Sequence, residues 1–494
     1  MKNIINVALI GADANNNGFG SKAHIPAIQS LNEYKLYAIC TTKNKSSSDL
    51  AKLYGAQTSY SNIDDLLDDT NVDMINIAVR VRHHYDILWK AIHKKKMIYC
   101  EWPLCLNENE AKTISDLSKK HNYNEHIIGT QGRYSPGFSF IKEIIEKKTI
   151  GDILFVKAHH LLSRFPVRSN HWWSSMEEEH SGALGVATAH TIDSIQSIFG
   201  NIQSLSAVTK TLYPDDTYSD SKELFKWTAK DYVNLTFKLN SNIEGSLVVS
   251  NLADNEIGFE LSVYGTKGHV KLKTPYYISY SPPTIYLSKN GIEQKINIPK
   301  KFIKINNLSN KSPGYNIAHS LNNYYYSLKN KKTIHPNFYD GYLLHNLIAK
   351  IKKSSDEQKQ KFENYFIGIL FILVDVLIYM SGERSAFFLL NLSTIFIIIL
   401  IKDYQKFRLA TFLIAVICII FLSINSNLND RMFKDTAKDM GFIDETNSKL
   451  TFSKLTFSKL TFFTPIHDSL YKTAYIMFKD QPILGHGPKI FRIK

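Results

Sequence analysis

Apolar and polar positions along this chain follow two different patterns, which change near residue 360. Up to Gln358, short apolar runs alternate with amphipathic stretches, as in a water-soluble α/β protein. From Phe362 to Ile424 the chain is dominated by three long apolar runs, and the remainder is polar. A single water-soluble domain does not have this profile, so we expect the two parts to have different roles.

The first part begins with strand-like and helix-like segments in alternation. Apolar runs of strand length stand at residues 4–10, 36–41, 72–79, 97–101 and 126–130. Helical periodicity falls between them at 47–54, 83–93 and 108–121. This alternation predicts an α/β domain over residues 1–130, a doubly wound parallel (Rossmann) sheet whose ligands bind at the strand carboxyl ends.

After residue 131 the strand-like runs follow one another with few helices between them. They stand at 153–160, 232–239, 243–251, 259–264 and 269–273, and helical patterns follow at 316–329 and 340–353. Consecutive strands predict an α+β domain with a mostly antiparallel sheet over residues 131–355. The two helices are expected to close that domain, before a junction at 356–361.

Three apolar runs make up residues 362–424, at 362–380, 386–401 and 409–424. A helix needs roughly 20 residues to cross about 30 Å of hydrocarbon. Buried core helices are the alternative interpretation, but three such runs in short succession favour three transmembrane helices. Residues 425–494 then form a polar tail.

The distribution of basic residues predicts the orientation of these spans. Lysines cluster before the first run, and Lys402, Lys406 and Arg408 lie between the second and the third. Basic loops stay on the cytoplasmic side. The amino terminus lacks a signal-peptide pattern. We therefore expect a multi-pass inner or plasma membrane protein with its soluble part in the cytoplasm and its tail outside.

Charge and cysteine content exclude some classes of function. The formal net charge is +14, but the basic residues are scattered and form no aromatic-interleaved stripe, so no nucleic-acid partner is expected. Four cysteines suit a reducing compartment. Cys100 and Cys105 lack a histidine pair that would complete a zinc site, and no metal is expected.

A glycine-containing turn directly follows the first strand. Gly11, Gly18 and Gly20 allow a tight turn and close approach of the backbone to a pyrophosphate, ahead of a helix that contains His24. The spacing is longer than G-x-G-x-x-G, with Ala12 and Asp13 where a second glycine is usual. Its place after the first strand nevertheless predicts dinucleotide binding.

The end of the second strand bears on which dinucleotide binds. An acidic residue here would bond the ribose hydroxyls of NAD. The chain instead has Thr41, Thr42 and Lys43, two hydroxyls and a cation. These groups suit a 2′-phosphate, so NADP is favoured over NAD.

A candidate acid–base pair lies in a helical segment after residue 181. His190 and Asp193 are three residues apart, hence on one helical face. A carboxylate that orients an imidazole makes a usable general base near neutral pH. A buried pair with a structural role is the alternative.

Over residues 4–355 the chain resembles the Gfo/Idh/MocA family of oxidoreductases. The resemblance rests on the glycine turn with its HIPAI continuation, on His84, on Glu101-Trp102-Pro103 in place of Glu-Lys-Pro, on residues 130–136, and on the His-x-x-Asp segment. It implies a cofactor site formed by the glycine turn, His24, residues 41–43, His84, Glu101 and Pro103. It also implies that the histidine of His-x-x-Asp, His190 here, accepts the proton as hydride leaves a sugar or cyclitol hydroxyl.

Trp102 departs from the family pattern, because it occupies the lysine position and cannot donate a charge-assisted hydrogen bond. This variant, with Gln131, Arg133 and Trp172, resembles the galactose-repressor branch, whose members bind dinucleotide as a regulatory ligand. The last three are candidate substrate-binding residues. Two hypotheses follow: an oxidoreductase with His190 as base, or a dinucleotide sensor without turnover. Homo-oligomerisation through the second domain is expected in either case.

Residues 365–494 resemble part of the O-antigen ligase and polymerase family, through SGERSAFFLLNLS and the segment 467–491. Arginine binds pyrophosphate-linked lipids well, so Arg384 is a candidate anion site; an interfacial anchor is the alternative. The resemblance implies a link to surface-polysaccharide synthesis and a third hypothesis, a residual glycan transferase fragment. The join is expected to be either a membrane tether or a fusion of two neighbouring reading frames.

Overall fold

The computed structural model describes residues 3–15, 18–401, 405–423, 432 and 434, without the side chains of residues 384 and 385. The chain divides into two compact units, Met1–Gln358 and Lys359–Lys494. The division coincides with the change in sequence pattern.

The first unit begins with a six-stranded parallel sheet. Its strands are β1 (Ile5–Ile10), β2 (Tyr34–Cys40), β3 (Thr58–Tyr60), β4 (Met74–Ile77), β5 (Met97–Glu101) and β6 (His126–Gly129). Their order is β3-β2-β1-β4-β5-β6, which confirms the predicted doubly wound sheet. The reversal of strand order between β1 and β4 is where such sheets bind ligands. Strand β3 was not predicted, because its three half-buried residues form no apolar run.

Five helices connect these strands. They are α1 (Ile25–Gln29), α2 (Asn44–Tyr54), α3 (Ile63–Asp68), α4 (His84–His93) and α5 (Glu108–Lys120). A π-helical turn, Gly20–His24, precedes α1 and continues into it. Strand β4 is buried along its whole length, as expected for a parallel strand covered on both faces.

The second sheet has eight strands. After helix α6 (Pro136–Glu146) come β7 (Ile153–Ser163), helix α7 (Ala189–Phe199), β8 (Ile202–Lys210), the small hairpin β9 (Asp215–Thr217) and β10 (Leu224–Lys226), β11 (Tyr232–Leu239), β12 (Glu244–Ala253), β13 (Gly258–Gly265), β14 (Gly268–Thr274), β15 (Thr284–Lys289) and β16 (Ile292–Ile296). The order is β16-β15-β14-β13-β7-β12-β11-β8, and β7 and β12 form its one parallel pair. The mostly antiparallel prediction is confirmed. Strands β8, β15 and β16 were missed; β8 and β16 expose many positions at the two edges.

Helix α8 (Tyr315–Lys329) packs against the first sheet, and the prediction that it closes the second domain is wrong. The hydroxyl of Tyr34 in β2 donates to the carbonyl of Leu321, at 2.8 Å. The hydroxyl of Tyr324 donates to the carbonyl of Glu125, at 3.0 Å, and its ring is buried. Helix α8 therefore shares the hydrophobic core that lies beneath β1 and β2.

Three apolar helices follow: α9 (Phe338–Ser381), α10 (Arg384–Leu400) and α11 (Gln405–Ser423). By length and composition, α9 and α11 could each cross a membrane, a test that buried helices of soluble proteins also pass. The apolar stretch of α10, Ala386–Leu400, is shorter than that test requires. Two candidate spans thus replace the predicted three. The Arg384 side chain and nearly all of the predicted tail lie outside the described residues.

Arg408 was expected in a basic loop but lies inside α11 and is 1% exposed. Its guanidinium donates to both carboxylate oxygens of Asp375, at 2.8 and 2.9 Å, and to the hydroxyl of Thr394, at 2.5 Å. A buried charge requires such partners, because desolvation of an unpaired ion costs several kcal/mol. One residue from each apolar helix thus contributes to a buried polar cluster.

Candidate active site

A cavity of about 680 Å³ lies at the carboxyl ends of β1, β4 and β5. This is the position that the strand order predicts for a ligand site. Its lining draws on both sheets of the first unit, including Gly18, Phe19, Thr42, Ala78, Arg80, His84, Glu101, Trp102, Pro103, Gln131, Trp173, Glu179, His190, Tyr277, Ser279 and Tyr280.

The glycine turn is a tight cradle beside this cavity. A Cβ atom on Gly11, whose φ is +105°, would lie 2.5 Å from the carbonyl oxygen of Ala78. A Cβ on Gly20 would lie 2.1 Å from the carbonyl oxygen of Gly11. Only glycine allows backbone segments to approach this closely. The cradle and the open volume beside it fit a dinucleotide pyrophosphate.

Asp13 explains why the turn is longer than the usual motif. Its carboxylate accepts hydrogen bonds from the backbone N–H groups of Asn15, at 3.0 Å, and Gly18, at 2.5 Å. The hydroxyl of Ser21 donates to the Asp13 carbonyl, at 2.9 Å. The aspartate therefore organises the turn internally, and its position in the chain is that of the second glycine in the usual motif.

Glu101, at the end of β5, is held by two predicted site residues. Its Oε1 lies 2.8 Å from Nε2 of His24 and accepts a hydrogen bond from Gln131, at 2.6 Å. His24 is fully buried and Gln131 nearly so. The structure thus brings together Glu101 at the end of β5, His24 from the segment after β1 and Gln131 from the segment after β6.

His84 connects the ends of β4 and β5. Its two ring nitrogens lie 2.8 Å from the carbonyl of Pro103 and 3.0 Å from that of Val79. Burial lowers the pKa of His84, against the effect of these carbonyls. The ring borders the cavity. Because both ring nitrogens are engaged by backbone carbonyls, His84 links the two segments that follow β4 and β5.

His190 presents one ring nitrogen to a partner within the protein. Its Nδ1 lies 2.9 Å from the hydroxyl of Ser279, and its ring meets Tyr277 edge-on at a centroid distance of 5.5 Å. Its Nε2 makes no hydrogen bond within the described part of the chain. Burial lowers the pKa of His190 to about 3, so the imidazole is neutral at physiological pH.

Asp193 does not orient His190, contrary to the sequence-based hypothesis. Both of its carboxylate oxygens accept hydrogen bonds from Arg133, at 2.7 and 2.6 Å. Arg133 and Asp193 border a separate cavity of about 270 Å³. His190 and Asp193 therefore belong to different sites. Arg133 was predicted to bind substrate, but it does not line the main cavity.

Trp102, at the lysine position of the family motif, is anchored by its polar atom. The indole N–H donates to the carbonyl of Gly185, at 2.8 Å, and the ring packs on His345 at 4.5 Å. Only 5% of the residue is exposed. The side chain closes one wall of the cavity and has no donor left for a ligand.

Several site residues were not found from the sequence. Trp173 lines the cavity instead of the predicted Trp172, whose ring lies 5.3 Å from the Arg80 guanidinium. Arg80 and Glu179 also border it and form an ion pair of 2.9 Å. The only available signal was the position of Arg80, directly after a predicted strand.

Of the three residues expected to select NADP, only Thr42 borders the cavity. The hydroxyl of Thr41 donates to the backbone carbonyl of Lys43, at 3.1 Å, in the turn before α2. Lys43 is exposed. Groups of three or more His, Cys, Asp or Glu side chains arranged to hold a metal ion do not occur among the described residues.

Comparison with known proteins assigns this unit to a family. Residues 5–126 match the model of an oxidoreductase family with an NAD-binding Rossmann fold, named GFO/IDH/MocA, and residues 138–271 match the C-terminal domain of the same family. The chain belongs to the Gfo/Idh/MocA oxidoreductase family, through its first unit. The family resemblance of the first unit is thereby confirmed.

Three relatives show the range within the family. Levoglucosan dehydrogenase of Pseudarthrobacter phenanthrenivorans is 28% identical over 43% of this chain and 55% of its own length. Glucose-6-phosphate 3-dehydrogenase of Bacillus subtilis is 22% identical over 71% of this chain and 97% of its own. A super-repressor mutant of Gal80p from Saccharomyces cerevisiae superposes with a TM-score of 0.64 at 21% identity, covering 72% of this chain and 97% of that one.

A solved levoglucosan dehydrogenase in complex with NADH and L-sorbose superposes with a TM-score of 0.62 at 20% identity, over 72% of this chain and 98% of that one. At these identities the structures establish the fold. The similar proteins thus include sugar dehydrogenases and a repressor, so the choice between an enzyme and a sensor rests on the site.

Proposed function

We propose that the first unit is an NAD(P)-dependent oxidoreductase acting on a sugar or cyclitol hydroxyl, with His190 as the base. The observation that carries the proposal is the His190 imidazole, which lines the cavity with Nδ1 bonded to Ser279 and with no hydrogen-bond partner for Nε2 among the described residues. A neutral imidazole with one nitrogen directed to a protein hydroxyl can accept a proton at the other.

Different residues of the cavity would contact the cofactor and the substrate. The turn of Gly11 and Gly20 would hold the pyrophosphate, and Glu101 would border the nicotinamide end. A dinucleotide bound there would supply the hydride acceptor for the carbon that carries the hydroxyl. His190 would accept the hydroxyl proton at Nε2, because burial lowers its pKa and leaves the imidazole neutral at physiological pH.

The cofactor preference is inferred from the turn after β2. Thr41, Thr42 and Lys43 place hydroxyls and a cation, and no carboxylate, where an acidic residue would select NAD. We infer that NADP is accepted as well as NAD and is preferred.

A non-catalytic dinucleotide sensor is the second candidate, and Trp102 favours it. A lysine at this position could donate a charge-assisted hydrogen bond to a substrate hydroxyl, whereas the indole N–H is bound to Gly185. The retained His190 favours the enzyme, since a sensor has no need of a base at the cavity wall.

Membrane attachment and assembly are further parts of the proposal. The apolar side chains of α11 and of the part of α9 after residue 361 are largely exposed, as a bilayer-facing surface would be. Arg384 is proposed as an anion site for a lipid-linked glycan, with a link to surface-polysaccharide synthesis; a residual O-antigen-ligase-type glycan transferase fragment is the third candidate.

Leu154 and Phe155 of β7 are 56% and 44% exposed and would form part of a homo-oligomer face on the second sheet.

The proposal is tested with the full chain in detergent, with NAD or NADP and a panel of sugars and cyclitols, by the absorbance of the reduced cofactor. Turnover that His190→Ala abolishes while cofactor affinity stays the same is expected for the enzyme. Cofactor binding without turnover on any sugar, unchanged in His190→Ala, would assign the sensor function instead.

A further inference from the structure

Arg80, which lines the cavity, and its neighbour Arg82 share one carboxylate. Glu179 is fully buried, and its Oε1 accepts hydrogen bonds from Arg80, at 2.9 Å, and from Nε of Arg82, at 2.7 Å. The side chains of Arg80 and Arg82 remain 30% and 41% exposed. Each guanidinium has five N–H donors, and Glu179 engages one donor of Arg80 and two of Arg82. The other donors have no hydrogen-bond partner among the described residues.

The neighbouring acidic residues do not neutralise the second arginine. Glu177 is paired with Lys230, at 3.2 Å, and with Lys352, at 2.6 Å. Glu178 borders another cavity, next to His180. The cluster of Arg80, Arg82 and Glu179 therefore carries one net positive charge. Arg80 and Glu179 line the main cavity, as His83 does, whereas Arg82 stands outside its lining.

Glu101 is the other carboxylate that lines the main cavity. It is engaged by His24 and Gln131 and stands at the end of β5, whereas Arg80 follows β4. The Glu101 carboxylate, an acceptor, and the Arg80 guanidinium, a donor, thus lie at different parts of the cavity lining.

Aromatic side chains flank the Arg80 guanidinium. The Arg80 guanidinium carbon lies 5.3 Å from the ring centroid of Trp172 and 5.4 Å from that of Trp173, and Trp173 lines the cavity. Stacked aromatic rings hold an arginine in a fixed orientation, and their apolar faces pack well against the C–H face of a sugar. A donor-rich, oriented guanidinium beside an aromatic wall suits a ligand with several acceptor oxygens.

We propose that Arg80 binds the carboxylate or phosphate group of an acidic sugar, with Trp173 packed against the sugar ring. This inference rests on the proposed function and names its substrate class. The phosphates of the dinucleotide carry the same chemistry, so the two sources of the anion must be separated by experiment.

The experiment measures binding to the full chain in detergent by titration calorimetry, with NADH present so that no hydride acceptor is available. The probes are matched pairs: D-glucose, D-glucuronate and D-glucose 6-phosphate, then D-galactose and D-galacturonate. Arg80→Gln and Arg80→Lys are compared with Arg168→Gln, which removes an equal charge from an exposed residue outside the cavity lining.

An acidic sugar is expected to bind at least about tenfold more tightly than its neutral counterpart, the size of one charged hydrogen bond. Arg80→Gln should remove this preference, Arg80→Lys should keep part of it, and Arg168→Gln should not change it. NADH affinity should be the same in all of these proteins.

Three results would overturn the inference. Equal affinity for neutral and acidic sugars, with turnover of the neutral one, would reject it and leave the proposed function intact. Loss of NADH affinity in Arg80→Gln, with sugar affinity unchanged, would assign Arg80 to the dinucleotide. Binding of NADH without binding of any sugar would reject both proposals.

Discussion

The guanidinium of Arg133 holds the carboxylate of Asp193 through two hydrogen bonds, of 2.7 and 2.6 Å. The sequence pattern predicts that Asp193 orients His190, but the Asp193 carboxylate is engaged by Arg133. His190 instead depends on Ser279, which stands after β14, for the orientation of its ring.

Asp193→Asn is expected to destabilise the protein, by about 3 kcal/mol, because it leaves the largely buried Arg133 charge without its partner. It should leave the pH profile of turnover unchanged, since Asp193 does not contact His190. Thermal unfolding and pH–rate profiles measure the two effects. Arg133→Met combined with Asp193→Leu should recover part of the stability. A shifted acid limb in a folded Asp193→Asn protein would contradict this account.

Gly20→Ala is expected to abolish dinucleotide binding, because the added Cβ would lie 2.1 Å from the Gly11 carbonyl oxygen. Gly55→Ala is a matched control: its φ is +73° and nothing lies within 4 Å of the added atom. That control should cost about 1 kcal/mol of stability through backbone strain alone. Fluorescence of bound NADH gives the affinity. Wild-type affinity in Gly20→Ala would remove the glycine turn from the cofactor site.

Trp102→Phe keeps a ring against His345 but removes the hydrogen bond to Gly185. It leaves a buried carbonyl without its donor, so we expect a loss of about 1 to 3 kcal/mol in unfolding free energy. Cofactor affinity should change little.

Trp102→Lys tests the chemical consequence of the same position. If the missing lysine limits catalysis, this variant should turn over sugars faster than Trp102→Phe at equal cofactor occupancy. Equal rates in the two variants, measured by reduced-cofactor absorbance, would show that the tryptophan does not limit turnover.

The stability of the first unit should fall as the pH falls below 6.5, in part because of His126. Its Nε2 lies 3.0 Å from the carbonyl of Tyr123, and its Nδ1 accepts the backbone N–H of Phe338, at 3.1 Å. Burial lowers the pKa of His126 to about 3. Between pH 6.5 and 3 the unfolded chain therefore binds more protons than the folded one, and stability rises with pH.

At pH 5 this single histidine should cost about 2 kcal/mol relative to pH 8. His126→Gln should lower the melting temperature at pH 8, through lost packing on Phe338, and should make the fall between pH 7 and pH 5 shallower. An unchanged slope would contradict the assignment.

The cluster in the apolar helices should behave as one coupled unit. Asp375→Ala leaves the Arg408 charge buried without a carboxylate, and Arg408→Ala does the reverse, so each should cost about 3 to 5 kcal/mol. The double variant should cost much less than their sum. Unfolding of the full chain in detergent measures this cycle, and additive effects would show that the two residues are independent.

Much of the fold could be predicted from local patterns. The strands β1, β4 and β5 are buried on both faces and read as continuous apolar runs, which is why their positions were found. Strands β8 and β16 were missed because edge positions are exposed and the apolar signal is weak there. Helix α8 was found at nearly its true bounds but assigned to the wrong sheet, since periodicity does not identify the partner that a helix face covers.

The sequence by itself determined the two-part organisation, the doubly wound sheet, the glycine turn and the position of His190, because these follow from local composition and spacing. Only the tertiary structure decided which side chains meet. The pairing of Asp193 with Arg133, the anchoring of Trp102 on Gly185 and the pairing of Arg80 with Glu179 all join residues more than 50 positions apart. Such contacts arise when elements that are distant in the chain pack together, and no local pattern encodes them.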